Sequence, residues 1–506
     1  MIERLKSTVR HTFIYSLSNV APKIVGIILL PLYTAQLSKI DFGNWDLIDI
    51  TIQILTEILI LGQATSLILI NNSEEYKDKK KTAFFTLSIF VLLACSLIVF
   101  FAEGVTTFFQ NFFHNSHIQA YYIRISAYTI LLRVMNNLFL SKVRADEQSI
   151  FYTIVSVLRV ISTTALAVYL VGFLHHGITG ILYAGFLSEF FAILILLFKA
   201  IPQMQARIDF EILKVGLKFG LPLVLSSVGF MLLNLSDRYV IKFLIGAEAN
   251  ALYAVGYRVA GVLNMFFVLP FTLGLLPIAY KYYGKPDDKR FYSKLMTYST
   301  YFFIWGFIFL SLFSKEIISI LSEKPDYEAA YSIVPIILLS YVFSGMRLTA
   351  QLGMLLTKNT KHIAWITLSA AALNITLNFI FIPIYGITAA AANTLIAFVI
   401  FYIITQILSG KYFKIPYENR KLFILLFVGI ILCCPVYFLS ISNRILDFGI
   451  KLILTGIFPF ILIPFHFYEK AEMEILKSPA KMLSFAKGIF SGAEKAETST
   501  ITDIEQ

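Results

Sequence analysis

Residues 386–409 read GITAAAANTLIAFVIFYIITQILS, 24 positions without a charged side chain. About 20 apolar residues in a helix reach across a bilayer core, so 387–409 reads as a membrane span. Working outward, similar stretches lie near 12–35, 43–70, 82–102, 118–141, 150–171, 179–198, 216–236, 251–279, 295–314, 331–357, 363–382, 421–440 and 448–468. The whole composition agrees. Of 506 residues, 58% are hydrophobic and only 14% charged, an apolar excess that a soluble enzyme, a nucleic-acid-binding domain or a secreted scaffold does not carry. The expected fold is all-α, a polytopic membrane protein with about 14 transmembrane helices. The first apolar run exceeds 20 residues and lacks a small-residue cleavage site, so it reads as a retained span rather than a signal peptide.

The quoted stretch also has a counterpart. Gly386-Ile387-Thr388-Ala389 echoes Gly177-Ile178-Thr179-Gly180, 209 residues earlier, and Asn250-Ala251-Leu252-Tyr253 echoes Phe42-Gly43-Asn44-Trp45 at an offset of 208. Two similar offsets predict two six-helix repeats, which share one orientation because six is even. The expected organisation is an N-terminal lobe at 1–200, a polar linker at 199–214, and a C-terminal lobe at 214–409. Two extra helices follow at 421–468, then a cytoplasmic tail at 469–506. The lobes are expected to flank a central cavity.

A net charge of +11 would point to a polyanion partner in a soluble protein. Here 29 of the 42 lysines and arginines fall on the N-terminal side of the membrane, Lys77, Lys79, Lys80, Lys81, Lys281, Lys285, Lys289 and Arg290 among them. By the positive-inside rule both termini are cytoplasmic. No nucleic-acid partner is expected.

Six basic residues nevertheless lie within spans: Lys23, Arg124, Arg133, Arg159, Arg258 and Arg347. A charge at mid-bilayer costs about 2.5–3.5 kcal/mol even on a lenient scale, so each needs water or a partner. Arg124 is close enough to a span end to snorkel. Lys23, Arg133, Arg159, Arg258 and Arg347 are the candidate cavity cations that bind substrate. Asp46, Asp49, Gln53 and Glu57 share one helical face. Asp46, Asp49 and Glu57, together with Asp237, are candidates for counter-ions or for cation coupling. Glu189 stands as a lone acid in its span. Arg238 and Lys242 read as cavity residues or interfacial anchors. Prolines 22, 31, 222, 270, 277, 335, 435, 459 and 464 are expected to kink spans. No nucleophile motif, phosphate loop or metal-ligand spacing occurs, and Cys95, Cys433 and Cys434 read as small buried hydrophobes. Neither enzyme activity, nor a cofactor, nor a bound metal is expected.

Particular motifs add a resemblance. Asp237-Arg238-Tyr239-Val240-Ile241, Leu244-Ile245-Gly246, Tyr253 and Tyr257-Arg258 resemble the junction of spans seven and eight in the polysaccharide-transport branch of the multidrug/oligosaccharidyl-lipid/polysaccharide exporter superfamily. Leu32-Tyr33-Thr34, Leu37-Ser38 and Phe42-Gly43 resemble the matching stretch of the first lobe, as does Pro383-Ile384-Tyr385-Gly386-Ile387-Thr388-Ala389-Ala390-Ala391 at spans eleven and twelve. Trp45 departs from the smaller or tyrosyl residue that the branch more often carries. The resemblance covers residues 10–410. It implies a flippase of the bacterial inner membrane that moves an undecaprenyl-pyrophosphate-linked oligosaccharide, a surface polysaccharide repeat unit, from inner to outer leaflet by alternating access. The partners expected are this lipid-linked oligosaccharide, membrane lipids and other polysaccharide-assembly proteins, with coupling to Na⁺ or H⁺ left open beside drive by membrane potential. A cation-coupled multidrug exporter of the same fold is the alternative.

Overall fold

The computed structural model describes residues 24–101, 104, 120–322, 324–434, 443–469 and 473. Lys23, most of the loop at 103–117 and most of the tail at 469–506 lie outside the described residues. Those described form helices and no strand. The chain divides into two compact units, Met1–Tyr417 and Glu418–Gln506.

The first unit is not divided further, so the two lobes remain the expected stretches 1–200 and 214–409. The first stretch contains α1 (Leu30–Gln36), α2 (Lys39–Leu59), α3 (Gln63–Asn72), α4 (Lys80–Phe100), α5 (Ala120–Ala145), α6 (Ser149–Ala167) and α7 (Gly177–Ala200). The C-terminal lobe contributes α8 (Phe210–Leu244), α9 (Ala247–Leu263), α10 (Leu269–Tyr282), α11 (Asp288–Leu312), α12 (Ser314–Leu321), α13 (Val334–Ala350), α14 (Leu352–Leu356) and α15 (Lys361–Tyr412). The second unit has α16 (Asn419–Cys433) and α17 (Arg444–Ile461).

Among the described residues, nine helical stretches are long and apolar enough to cross a membrane, the longest being Lys361–Tyr412. That helix holds two of the expected spans, separated by Gly386 at φ 64°. Left-handed backbone is open to glycine at little cost, so the chain reverses there without a loop. The 26-residue α5 is long enough to span, yet Arg124, Arg133, Asn136 and Asn137 make it too polar to count among the nine. The prolines divide in their effect. Pro222 and Pro277 lie inside α8 and α10, whereas Pro335 occupies the first turn of α13, where a missing N–H costs little.

Two close backbone approaches, each with a side-chain hydrogen bond beside it, bring the two expected lobes together: one near the start of α2 and one just beyond its end. At its start, Ser38 caps the helix by accepting from Asp41 N and donating to Asp41 Oδ2. One turn later Gly43 lies so close to α9 that a Cβ would stand 2.0 Å from the Ala247 carbonyl oxygen. Asn250 Nδ2 donates to Gly43 O at 2.9 Å. The two echoing sequence landmarks are therefore in direct contact. Lys324 Nζ closes the same end by donating to Leu37 O at 2.6 Å. Beyond the far end of α2, Gly62 (φ 70°) and Gly220 of α8 approach each other's backbone. Ser66 Oγ donates to Gly216 O at 2.8 Å.

The linker at 201–209 is strapped to the start of α4. Gln205 N donates to Lys81 O, Thr82 Oγ1 to Gln205 Oε1, and Lys79 Nζ to Asp209 Oδ2 at 2.9 Å. Asp209 also caps α8, accepting from Glu211 N and Ile212 N. The Lys79 hydrogen bond holds the Asp209 carboxyl below its ordinary pKa, and the same bond raises the Lys79 ammonium above its own.

Two outcomes are expected. Gly43→Val should overpack the α2–α9 contact and destabilise the protein by about 1–3 kcal/mol. Gly261→Val, whose Cβ meets nothing within 4 Å, should leave the melting temperature of the purified protein little changed by comparison. The depressed Asp209 carboxyl contributes stability above its unfolded pKa and loses it as pH falls through the lower folded value. Hydrogen exchange in the first turn of α8, corrected for intrinsic rates, should therefore accelerate in acid, and Asp209→Asn should abolish that pH dependence.

Candidate functional site

Helical spacing gathers the first cluster. On α5, Arg133 and Asn136 are three residues apart, and on α6 Arg159, Ser162 and Thr163 share one face. Both faces meet Ser188 and Glu189 of α7. Arg133 Nε donates to Glu189 Oε1 at 3.0 Å and Arg159 Nη1 to Oε2 at 3.4 Å. Asn136 Nδ2 adds 2.8 Å to Oε2 and 2.9 Å to the Glu189 carbonyl. Ser162 and Thr163 donate to Ser188 Oγ, which itself donates to Arg159 O. The Glu189 side chain is only 5% exposed, while Arg133 and Arg159 remain 27% and 22% exposed. Two cations thus share one buried anion.

A second cluster joins the lobes. Asp46, 2% exposed on α2, pairs with Arg258 of α9 at 3.1 Å and with Arg238 of α8 at 3.6 Å. The Arg258 guanidinium lies 4.4 Å from the Trp45 ring centroid and 5.3 Å from that of Phe42. Arg238 lies 4.5 Å over Tyr257. Phe42, Trp45 and Asp46 fall at i, i+3 and i+4, so one helix face supplies both the aromatic bed and the carboxylate. Trp45, from which sequence reasoning draws nothing, thus has a specific partner. In direct ion pairs two guanidiniums again meet one carboxylate, and Asp237 lies near enough to Arg238 to add a second negative charge.

Arg347 lies elsewhere. It is buried inside the C-terminal lobe, donates from Nη1 to Gln351 Oε1 at 2.7 Å, and stacks 4.5 Å over Phe401 and 5.7 Å over Phe230. Its Nε has no hydrogen-bond partner. A core of Leu233, Met354, Ile366, Ala397, Phe398 and Phe401 belongs to the same lobe.

Asp237 belongs to a third, mostly uncharged network. Tyr253 OH and Thr394 Oγ1 donate to its Oδ2. Asn374 Nδ2 donates to Thr394, Asn378 to Asn374, and Asn393 to Asn378. Asp237 Oδ1 is buried without a hydrogen-bond partner. Asp49 and Glu57 do not join Asp46: Asp49 is half-buried and accepts from Gln53 Nε2, and Glu57 is half-buried further along α2. No group of three or more histidines, cysteines and carboxylates suited to a metal occurs among the described residues.

The structure brings together Arg133 with Arg159, and Asp46 with Arg258. It sets Arg347 and Asp237 apart, and Lys23 lies outside the described residues. Sequence reasoning missed the two residues that organise the pairs. Glu189 is the partner of Arg133 and Arg159, a role expected of the α2 acids. Its signal was present: a lone acid in the span at 179–198 requires a cation. Arg238 is buried in an ion pair and is no interfacial anchor.

This architecture is that of helical polytopic transporters. The solved lipid II flippase MurJ, in an inward closed conformation, is 17% identical with a TM-score of 0.70, covering 90% of this chain and 100% of that one. An inward-facing multidrug resistance MATE family transporter of the MOP superfamily is 14% identical with a TM-score of 0.63, covering 81% of this chain and 95% of that one. A MOP superfamily transporter from Pyrococcus furiosus, for which reverse polarity of the binding pocket suggests a different function, is 16% identical. Its TM-score is 0.56, with 85% of this chain and 96% of that one covered. At such identities these similarities establish the fold. Residues 8–283 match the family model for Polysaccharide biosynthesis protein, more than half of the chain, and residues 222–380 match the MatE model. The chain belongs to the polysaccharide biosynthesis protein family. No curated protein matches it.

Removing Asp46 would leave Arg258 and Arg238 buried without a carboxylate. Asp46→Ala should destabilise the protein by about 3–5 kcal/mol, the range for breaking a buried pair. Adding Arg258→Gln should recover part of that loss, read as melting temperatures across the double-mutant cycle.

Proposed function

We propose that this protein is a flippase that carries an undecaprenyl-pyrophosphate-linked oligosaccharide from the inner to the outer leaflet of the bacterial cytoplasmic membrane by alternating access, with both termini in the cytoplasm. The observation that carries the reading is the surplus of positive charge at Glu189, where two arginines meet one carboxylate among the described residues; around Asp46 the two arginines also have Asp237 near Arg238. A protein that moved cations would gain from the opposite balance. Guanidinium groups offer forked donors suited to phosphate oxygens, and hydroxyls such as Ser162 and Thr163 suit a wet, sugar-bearing path. Arg133, Arg159 and Arg258 are the proposed headgroup contacts, and Asp46 is a counter-ion. Arg347 is a further candidate through its unpartnered Nε.

With the cytoplasm negative, moving one negative charge outward gains about 2.3 kcal/mol per 100 mV. An anionic cargo can therefore be driven by membrane potential alone. Membership of a polysaccharide biosynthesis family accords with such a cargo, and partnership with other assembly proteins is proposed alongside it. Asp237 favours a second element, coupling to Na⁺ or H⁺. It is an acid among tyrosine, threonine and asparagine side chains with one oxygen free of hydrogen bonds. The competing reading, a cation-coupled multidrug exporter, draws on this residue and on the MatE match.

The test is genetic and chemical. Replacing Arg133, Arg159 and Arg258 together with glutamine should abolish surface polysaccharide while lipid-linked precursor accumulates in the inner leaflet. Unchanged polysaccharide in a strain with normal levels of the triple variant would refute the flippase. Resistance to cationic compounds that rises on overexpression and disappears with Asp237→Asn would favour the exporter instead.

A further inference from the structure

Glu189 is fixed more firmly than the arginines it holds. Asn136 grips both its carboxylate and its backbone carbonyl, and the neighbouring Ser188 is tied across to α6. The carboxylate is buried and held by three side chains. The guanidiniums are engaged by one edge only. Arg133 reaches Glu189 through Nε, leaving both of its Nη atoms, and Arg159 reaches it through a single Nη1 at 3.4 Å, near the limit of a hydrogen bond. Both side chains stay about a quarter exposed. Cations this far inside the spans are not stable against lipid, so their open edges belong to the protein interior or to a water-filled path.

We infer that Glu189 is a resident competitor for the anionic headgroup. This rests on the anionic-cargo reading above and adds a role for the carboxylate. It positions Arg133 and Arg159 and cancels one of their two charges, so that a diphosphate is held weakly enough to be released. A transporter that bound its cargo with both charges unopposed would lower the energy of the loaded state and slow the turnover that depends on leaving it. A carboxylate that were only structural glue would act in the opposite sense, and its loss would loosen both arginines and weaken binding.

The sign of the effect is measurable on the full-length protein in lipid nanodiscs, with farnesyl diphosphate as the probe. Arg133→Gln should weaken binding. Glu189→Gln should tighten it about tenfold and steepen its dependence on salt, while export of surface polysaccharide in cells slows. Glu189→Gln/Arg159→Gln restores the net charge of the native cluster and should bind more tightly than Arg159→Gln alone. That comparison holds even if Glu189→Gln by itself fails to fold. Weaker binding by Glu189→Gln at an unchanged melting temperature, or a double variant no tighter than Arg159→Gln, overturns the competitor role while leaving the anionic-cargo reading intact. Tighter binding with undiminished export overturns the link to release. Absence of saturable probe binding by the native protein, unaltered by Arg133→Gln, overturns the anionic-cargo reading itself and the inference with it.

Discussion

An arginine inside a membrane must find an acceptor or water, and this constraint organises the first unit of the protein. A guanidinium keeps its charge under all ordinary conditions, so burial cannot neutralise it as it can a lysine or a carboxylate. Each intramembrane arginine therefore dictates its surroundings. Arg133 and Arg159 draw Glu189 and Asn136 into one knot that ties α5, α6 and α7. Arg258 and Arg238 draw Asp46 across the lobe boundary and add aromatic faces from Trp45, Phe42 and Tyr257. Arg347, which meets no carboxylate among the described residues, settles for Gln351 and two phenyl rings.

The same pairing crosses the lobe boundary. Asp46 is on the N-terminal lobe, and both of its cations are on the C-terminal lobe. Near it, Gly43 approaches the Ala247 backbone closely, and Asn250, Phe42 and Trp45 add side-chain contacts beside it. Gly62 and Gly220 approach likewise beyond the far end of α2. The two arms of α15 and α8 are joined by the buried chain of asparagines that runs to Asp237.

The membrane helices were legible because length and apolarity act locally. A 24-residue uncharged stretch such as 386–409 has few other solutions. A repeat was expected from landmarks such as Phe42-Gly43 and Asn250-Ala251, though nothing in the sequence announced that these two landmarks meet. The candidate arginines were legible as anomalies, since any charge in a span requires an account. Their partners were not. The α2 acids share a face at helical spacing, which led to the expectation that they act as one stripe. In the fold, Asp46 turns to the C-terminal lobe, while Asp49 and Glu57 stay half-buried.

What the sequence determined by itself was which residues are anomalous: the apolar spans, the two-fold internal echo, and the few cations and acids that lipid does not tolerate. Those follow from the properties of single residues and of single helices. What the tertiary structure decided was which anomaly answers which. Glu189 lies 56 residues from Arg133 and 30 from Arg159, and Asp46 lies 212 from Arg258. The physical reason is that Coulomb attraction and hydrogen bonding depend on separation in space. Helical periodicity tells which side chains share a face, and only the packing of helices sets which faces meet.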